Sequence, residues 1–331
     1  MKNLSRRDFF KLSAAAGVIA AGSGYLVPLA EAAAGPGRYS DTRLKMGTTV
    51  TMTLVTDSRD QALTAMEAAF AEIDRLCAIF DRHKPDTVLS FLNTQKNISG
   101  PPPELIEVLT QTAVAHYQSE GVFDPTILPL LTLLEDSFKR QGQPPEIREL
   151  KNVLGHIGFE KVVIGKNRVS MPEGAMSLDG VAKGFIVDRA AAKLKEQGVN
   201  RALINAGGDI LALGRSHRNQ PWRIAIQDPF HRDKFVRIIG LSDGAIATSG
   251  SYEVFYDQKK QFHHLLDPIT GLPAGRAVSA SVLSDTTAMA DAMSTAVFVN
   301  PTLPAGLRKD TLVITPEGQQ IFSGRFKKLL V

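Results

Sequence analysis

The stretch that most constrains the fold runs from Ser177 to Phe185, with the sequence SLDGVAKGF. It is typical of a strand that ends at a tight glycine turn and leads into the first turn of a helix. Residues 168–171 and 175–178 flank a Pro-Glu-Gly turn as the strands of a hairpin would. Asp179 is placed to cap the helix, and apolar residues at helical spacing continue it to Gly198, a residue suited to a helix C-terminus.

A lysine in the first turn of this helix indicates an anion site. The N-terminal end of a helix is already electropositive, so Lys183 is an unusual choice there. Gly180 and Gly184 leave bare backbone that a phosphate can approach closely. A solvent-exposed lysine on an ordinary strand-turn-helix accounts for the same residues equally well, so other stretches have to decide.

The first 34 residues are predicted to be a signal peptide. Residues 5–11, SRRDFFK, match the twin-arginine export pattern, and an apolar run rich in Ala and Gly extends from Leu12 to Leu29. Glycine and proline interrupt this run, which argues against the alternative of an uncleaved membrane anchor. Alanines at 30, 32 and 34 offer cleavage sites. We therefore expect export to the periplasm and a mature domain of residues 35–331.

The composition argues against several classes of function. The 331 residues are 44% hydrophobic, enough for one large domain or two closely packed ones. The net charge is +4, and about +2 without the predicted signal, too small to indicate nucleic-acid binding. Cys77 is the single cysteine, so no intramolecular disulfide can form. Its apolar helical surroundings predict a buried thiol, which disfavours zinc or thiol chemistry.

The mature domain is predicted to mix strands and helices. Alternating β-branched residues predict a strand over Lys45–Val55, and helical apolar spacing predicts a helix over Asp60–Phe80. A loop over residues 83–90 is predicted to run into a short helix that ends near Asn93, and further helices are predicted over residues 103–120, 127–136 and 147–153. Further strands are predicted over residues 202–206, 209–214, 222–227, 235–241 and 244–252. No internal sequence repeat or domain boundary is visible.

Three more segments carry side chains suited to a ligand site. The turn at Phe123-Asp124-Pro125 presents an aromatic ring and a carboxylate, or simply ends a helix. His264 is placed at a strand end, where a structural role is the plainer reading. Asp291 and Thr295, four residues apart at the start of a helix, project oxygens from one face and can share a hard cation. A helix cap and an ordinary threonine are the alternative there.

Taken together, eight segments resemble in order the motifs of the ApbE family, the FAD:protein FMN transferases. They are Met46–Thr48, Pro85–Asn93, Phe123–Pro125, Leu178–Asp188, Asn205–Asp209, Thr248–Tyr252, His264–Gly271 and Asp291–Thr295. The resemblance covers essentially all of the mature chain. It implies an α+β fold of T-fold-like halves, with FAD bound in a cleft between them.

The resemblance also implies roles for individual residues. The positions that fall at the family's FAD contacts are Met46, His83, Val122, Phe123, Asp124, Ser177, Lys183 and Leu266. Those that fall at its Mg²⁺ site are the carbonyl of Gly180 and the side chains of Asp291 and Thr295. Ser177 stands where the family commonly has Asp, and His83 where it often has Tyr. We expect these two changes to alter FAD affinity without abolishing binding.

The implied reaction is the attack of an acceptor protein's Ser or Thr hydroxyl on the FMN-side phosphorus of FAD, with AMP leaving. Mg²⁺ and Lys183 would neutralise the pyrophosphate. His264 is the candidate base, because a neutral imidazole with an ordinary pKa of about 6.5 accepts a proton. Asp209 is the alternative base.

Other functions fit the same residues. Water in place of the acceptor would make the chain an FAD pyrophosphatase that yields FMN and AMP, and loss of turnover would leave a flavin carrier. An exported interaction module is a fourth reading. The family resemblance suggests an acceptor in respiratory electron transfer, for instance a membrane-anchored flavoprotein of nitrous oxide reduction or a subunit of a sodium-pumping quinone reductase.

Overall fold

The structure, a computed structural model, describes residues 37–304, 306 and 308–329. The predicted signal peptide, residues 1–34, lies outside the described residues. Within those residues, no helix is both long and apolar enough to span a bilayer.

The described chain alternates between strands and helices. The strands are β1 (Arg38–Lys45), β2 (Thr48–Val55), β3 (Asn97–Ser99), β4 (Val163–Gly165), β5 (Arg168–Ser170), β6 (Ala202–Ala206), β7 (Asp209–Leu213), β8 (Trp222–Gln227), β9 (Phe235–Leu241), β10 (Gly244–Gly250), β11 (Ser279–Ser284), β12 (Thr311–Ile314) and β13 (Gln320–Phe322). The α-helices are α1 (Arg59–Phe80), α2 (Val88–Gln95), α3 (Pro103–Gln118), α4 (Leu128–Gln141), α5 (Ile147–Leu154), α6 (Ala182–Glu196) and α7 (Thr287–Val299).

One antiparallel sheet of eight strands organises the fold, in the order β1-β2-β6-β7-β10-β11-β12-β13. It consists of two halves, each of which has helical structure between two strand pairs. In the first half, α1 and α6 lie in sequence between the strand pairs β1-β2 and β6-β7; in the second, α7 lies between β10-β11 and β12-β13. Pairing of β7 with β10 joins the halves. The α+β prediction is confirmed, and each half shows the expected T-fold-like plan.

The sheet has an apolar core on each face. Helices α1, α6 and α7 cover one face, where Phe70, Phe185 and Phe298 are fully buried. The β8-β9 hairpin and the C-terminal segment around Phe326 cover the other. Aliphatic residues point alternately to the two faces, as burial on both sides of a sheet requires.

The start of α7 is fixed by contacts within it and from α6. The hydroxyl of Thr286 accepts a hydrogen bond from the backbone N–H of Met289. The carboxylate of Asp188, on α6, accepts from the backbone N–H groups of Thr287 at 2.8 Å and Ala288 at 3.0 Å. These bonds satisfy amides that the first turn of a helix leaves without partners. They also hold α6 and α7 in a fixed relative position.

One strand prediction was too long, and one hairpin prediction was wrong. The strand predicted over 45–55 is present as β2, but it begins only at Thr48. It is the second arm of a β1-β2 hairpin, which turns at Met46 and Gly47, both at positive φ (53° and 70°). The hairpin predicted around residues 172–174 is absent, because β5 pairs with β3 and β4. Residues 175–178 join a different segment: Ala175 bridges Ile127, and Ser177 N–H donates to the carbonyl of Pro125 at 2.7 Å.

The prediction that Asp179 caps α6 was also wrong. Val181 occupies the N-cap, and no side chain accepts a hydrogen bond there. Gly198 follows the helix at φ 78°, as predicted. Cys77 is half-buried where full burial was expected. Partial burial raises the pKa of its thiol, which disfavours the reactive thiolate form.

Candidate functional site

A cleft of about 520 Å³ opens where several strands of the sheet end. The pairings of β2 with β6 and of β7 with β10 bring three segments together there: the β1-β2 turn, the β6-β7 turn and the end of β10. The cleft is lined by every site residue expected from the sequence: Met46, His83, Val122, Phe123, Asp124, Ser177, Gly180, Lys183, His264, Leu266, Asp291 and Thr295. Segments up to 249 residues apart in the chain thus form one cavity.

The charged centre of the cleft is Lys183 between two carboxylates. Its ammonium forms an ion pair with Asp209 and lies 3.8 Å from Asp291 Oδ2. Asp209 and Asp291 are 2% and 5% exposed, so water screens these charges weakly. The sequence assigned Lys183 to an anion, but in the structure its nearest charged partners are protein carboxylates.

Burial and mutual repulsion set the protonation of this cluster. Burial alone would lower the pKa of Lys183, but Asp209 and Asp291 outweigh it, and the net direction is upward. Burial raises the pKa of Asp209 despite the opposing effect of Lys183. Burial, with repulsion from Asp209, raises the pKa of Asp291 to about 8. Lys183 is therefore charged near neutral pH, whereas Asp291 is largely protonated there without a second cation nearby.

Asp291 and Thr295 lie on one face of α7, as their spacing predicted. They sit one and two turns inside the helix, since α7 begins at Thr287 and not near residue 290. A Cβ placed on Gly180 would lie 3.3 Å from Thr295 Oγ1, so the Gly180 backbone abuts this threonine. The Asp291 carboxylate, the Thr295 hydroxyl and the backbone of Gly180 thus line the same cleft. Such hard oxygen donors suit Mg²⁺.

Gly184 has a different role from the one expected. A Cβ on Gly184 would overlap the backbone of Thr287 and Ala288, lying only 2.6 Å from the amide nitrogen of Ala288. The glycine is therefore required where α6 and α7 cross. Its backbone N–H donates to Asp291 Oδ2 at 3.3 Å, so this crossing also holds the carboxylate in place.

The wall at Phe123 and Asp124 is fixed by hydrogen bonds. Asp124 Oδ1 accepts from the N–H of Thr126 at 2.8 Å and from its hydroxyl at 2.5 Å, and Oδ2 accepts from Phe159 N–H at 3.1 Å. His116 Nδ1–H donates to the carbonyl of Phe123 at 2.9 Å. Asp124, predicted as an FAD contact, thus uses both oxygens to hold its own loop. Potential metal-ligand atoms of His116, Asp124 and Glu160 lie within 4.8 Å of one another, although His116 Nδ1 and both Asp124 oxygens already make these hydrogen bonds.

The rim of the cleft contains an ion pair that the sequence did not reveal. Arg82 Nε donates to Asp179 Oδ2 at 2.7 Å, across 97 residues of sequence. Ser177 Oγ accepts from the backbone N–H of Asp179 at 3.2 Å, which fixes the turn before α6. His83 is exposed beside Arg82 and is held through its own backbone, whose N–H donates to Asp81 at 3.0 Å. Charge pairs so distant in sequence leave no local pattern.

His264 does not lie at a strand end, as was predicted, but between two isolated β-bridges. Its Nδ1 lies 3.4 Å from the carbonyl of Val254, to which it donates. Burial lowers the pKa of His264 to about 4, so the expectation of an ordinary imidazole pKa was wrong. The ring is neutral near pH 7, with the lone pair on Nε2.

The apolar side of the cleft is anchored by Leu266. It is 3% exposed and packs against Leu130 and Leu134 of α4. Met46, at the β1-β2 turn, packs against the core on the face covered by α1, α6 and α7. Together with Phe123, these side chains give the cleft an apolar lining, which suits a flat aromatic ligand.

Comparison with known proteins agrees with this architecture. The family model described as "ApbE family" matches residues 46–307. The FAD:protein FMN transferase of Haemophilus influenzae is 29% identical over 259 residues, covering 74% of each chain. That of Vibrio cholerae is 33% identical over 243 residues, covering 69% of this chain and 72% of the relative.

Solved structures share the fold as well. The crystal structure of the ApbE protein of Thermotoga maritima superposes with a TM-score of 0.81 at 27% identity, covering 88% of this chain and 99% of that one. The family model covers well over half of the chain, and the relatives match across most of their length. The chain therefore belongs to the ApbE family and is a transferase enzyme.

Proposed function

We propose that this chain is a Mg²⁺-dependent FAD:protein FMN transferase, which moves the FMN part of FAD onto a serine or threonine hydroxyl of an acceptor protein and releases AMP. The observation that carries the proposal is the cleft, which gathers all the expected FAD and metal residues in one cavity. Its volume is within the range of small-molecule sites. Relatives of similar length carry the name of this activity.

The charges of the cleft suit a pyrophosphate. Lys183 is held in the charged form by Asp209 and Asp291, and it projects from the first turn of α6. An ammonium and a helix N-terminus both attract phosphate oxygens. The Phe123 ring and the side chains of Met46 and Leu266 offer apolar contacts to the flat rings of FAD.

The oxygen donors of Asp291, Thr295 and Gly180 would hold the Mg²⁺. Because burial and repulsion from Asp209 raise the pKa of Asp291 to about 8, this carboxyl would release its proton when the cation binds. When bound, Mg²⁺ neutralises negative charge on the phosphoryl oxygens.

The proposed transfer forms one bond and breaks another. The acceptor oxygen bonds to the FMN-side phosphorus while the bond from that phosphorus to the bridging oxygen breaks, and AMP leaves with that oxygen. The acceptor's proton passes to Nε2 of His264, since Nδ1 is committed to Val254. A base with so low a pKa acts late, when the attacking oxygen has become acidic. Asp209 is a poorer base because it is paired with Lys183.

We also propose that the chain acts in the periplasm on a redox flavoprotein. This part of the proposal rests on the twin-arginine pattern of residues 5–11 and on the family resemblance. Cell fractionation of the native chain and of an Arg6→Lys/Arg7→Lys variant tests it. Equal export of the two would contradict the twin-arginine route.

The test of the activity combines residues 35–331 with FAD, Mg²⁺ and an acceptor domain that carries a candidate threonine. Intact mass of the acceptor and assay of AMP are the readouts. We expect an FMN-sized mass gain with one AMP released per transfer, and neither with EDTA. AMP formed without modification of any acceptor supplied would favour FAD hydrolysis, and bound but intact FAD would favour a carrier.

A further inference from the structure

We propose that Ser249 and Ser294 are positioning residues, which direct the hydroxyl proton of Thr295 away from the metal site so that its lone pairs face the cation. The inference rests on the proposed function, because it concerns the cation that the transfer uses.

Three hydroxyl groups form a continuous chain beside the cleft. Ser249 Oγ lies 2.7 Å from Ser294 Oγ and 3.2 Å from Thr295 Oγ1. Ser294 Oγ donates to the backbone carbonyl of Asp291 at 2.9 Å. Ser249 belongs to β10, whereas the other three residues belong to α7. Ser294 is fully buried, so water does not compete for its hydrogen bonds.

The direction of each bond follows from counting protons. A hydroxyl has one proton, and a carbonyl can only accept. Because Ser294 gives its proton to the Asp291 carbonyl, it must accept from Ser249. Because Ser249 gives its proton to Ser294, it must accept from Thr295. The proton of Thr295 is therefore directed toward β10.

This direction matters for a metal ligand. A neutral hydroxyl coordinates a cation through a lone pair, which requires its proton to point elsewhere. A threonine inside a helix commonly donates to the carbonyl four residues earlier. Here that carbonyl, Asp291, already accepts from Ser294, and Ser249 provides the alternative acceptor. The strand thus fixes the orientation of a ligand on the helix.

Ser249 lines the cleft and is itself in reach of a substrate. A direct role in binding FAD and an indirect role through Thr295 predict different behaviour toward the metal alone. The test therefore uses Mn²⁺, which prefers the same hard oxygen donors as Mg²⁺, with no nucleotide present. Free Mn²⁺ is measured by electron paramagnetic resonance during titration of the protein.

Four variants make the test specific. Ser249→Ala should weaken Mn²⁺ binding about tenfold, the size of effect typical of groups that orient a metal ligand. Thr295→Val, of nearly the same shape, should weaken it further. In the Thr295→Val background, Ser249→Ala should add nothing, because its effect is transmitted through the missing hydroxyl. Ser281→Ala is the matched control, since it removes a buried hydroxyl whose hydrogen bond, within the described part of the chain, is to Thr248, 2.8 Å away.

The outcomes separate this inference from the proposed function. Unchanged Mn²⁺ affinity in Ser249→Ala, an equal loss in Ser281→Ala, or an additive loss in the double variant would overturn the orienting role. Absence of Mn²⁺ binding by the wild-type chain, or wild-type affinity in Asp291→Asn, would instead overturn the metal site. Either of these two results would contradict the metal dependence of the proposed function, and the inference would fail with it.

Discussion

The ammonium of Lys183 lies 3.8 Å from Oδ2 of Asp291 while it pairs with Asp209. The single positive charge of Lys183 thus faces two buried carboxylates. Ionising both Asp209 and Asp291 therefore costs free energy until a metal ion adds a second positive charge. The following predictions depend on that balance and on the packing that maintains it.

Asp291→Asn should reduce FMN transfer by about 100-fold or more, because the substitution removes a metal ligand. It should not destabilise the metal-free protein. Between pH 4 and 8, the folded chain retains a proton on Asp291 that the unfolded chain has released, so the free energy of unfolding falls as pH rises. The variant should lack this contribution. Transfer is measured by acceptor mass, and stability by urea unfolding in EDTA at several pH values; a less stable variant at pH 8 would contradict the assignment.

Lys183→Met should destabilise the protein by about 3 kcal/mol, because it leaves Asp209 buried without its counter-ion. The double variant Lys183→Met/Asp209→Asn should recover most of that loss, since neither charge remains. Urea unfolding of both variants and of Asp209→Asn completes the cycle. Transfer should stay low in both variants that lack Lys183, and recovery of transfer in the double variant would show that this ammonium does not act on the substrate.

Gly184→Ala should destabilise the protein by about 1–3 kcal/mol, although alanine normally favours a helix. The added methyl group would meet backbone atoms of Thr287 and Ala288, which cannot rotate away. Gly275→Ala is the control, because no atom lies within 4 Å of its added Cβ. That control should change the free energy of unfolding by less than about 0.5 kcal/mol. Equal effects of the two substitutions would contradict the close helix crossing.

His264 should make the protein sensitive to acid. Its pKa is about 4 in the folded chain and about 6.5 when unfolded, so between these values only the unfolded chain binds the proton. Stability is complete above pH 6.5 and declines as pH falls toward 4, by up to about 3 kcal/mol from this group.

Urea unfolding across that range should show a shallower decline for His264→Gln than for the wild type. His263 is the necessary comparison, because burial lowers its pKa too. A decline in His264→Gln as steep as that of the wild type would contradict the buried, neutral state of His264. If Nε2 of His264 takes the acceptor's proton in the wild type, the His264→Gln variant should retain FAD binding and lose transfer.

Much of the fold was predictable because its signals are local. The boundaries of α1 and the start of α4 follow from apolar spacing, although α4 continues to Gln141, five residues past its predicted end. Helix α6 ends before Gly198 because that residue tolerates positive φ. Strand β1 was missed, since its solvent-facing residues leave little alternation of hydrophobic and polar types. The short hairpin expected near residue 173 failed because pairing partners are chosen by the whole sheet.

The sequence by itself determined the residue types of the site: a lysine in the first turn of α6, an acid and a threonine one helical turn apart, and the order of motifs that marks the family. The tertiary structure decided what those residues do to one another. In the folded chain Lys183 forms an ion pair with Asp209, and Arg82 forms one with Asp179. Gly184 allows α6 and α7 to approach closely, and burial lowers the pKa of His264. Burial, close approach and charge pairing depend on segments far apart in the chain, and local spacing carries no record of them.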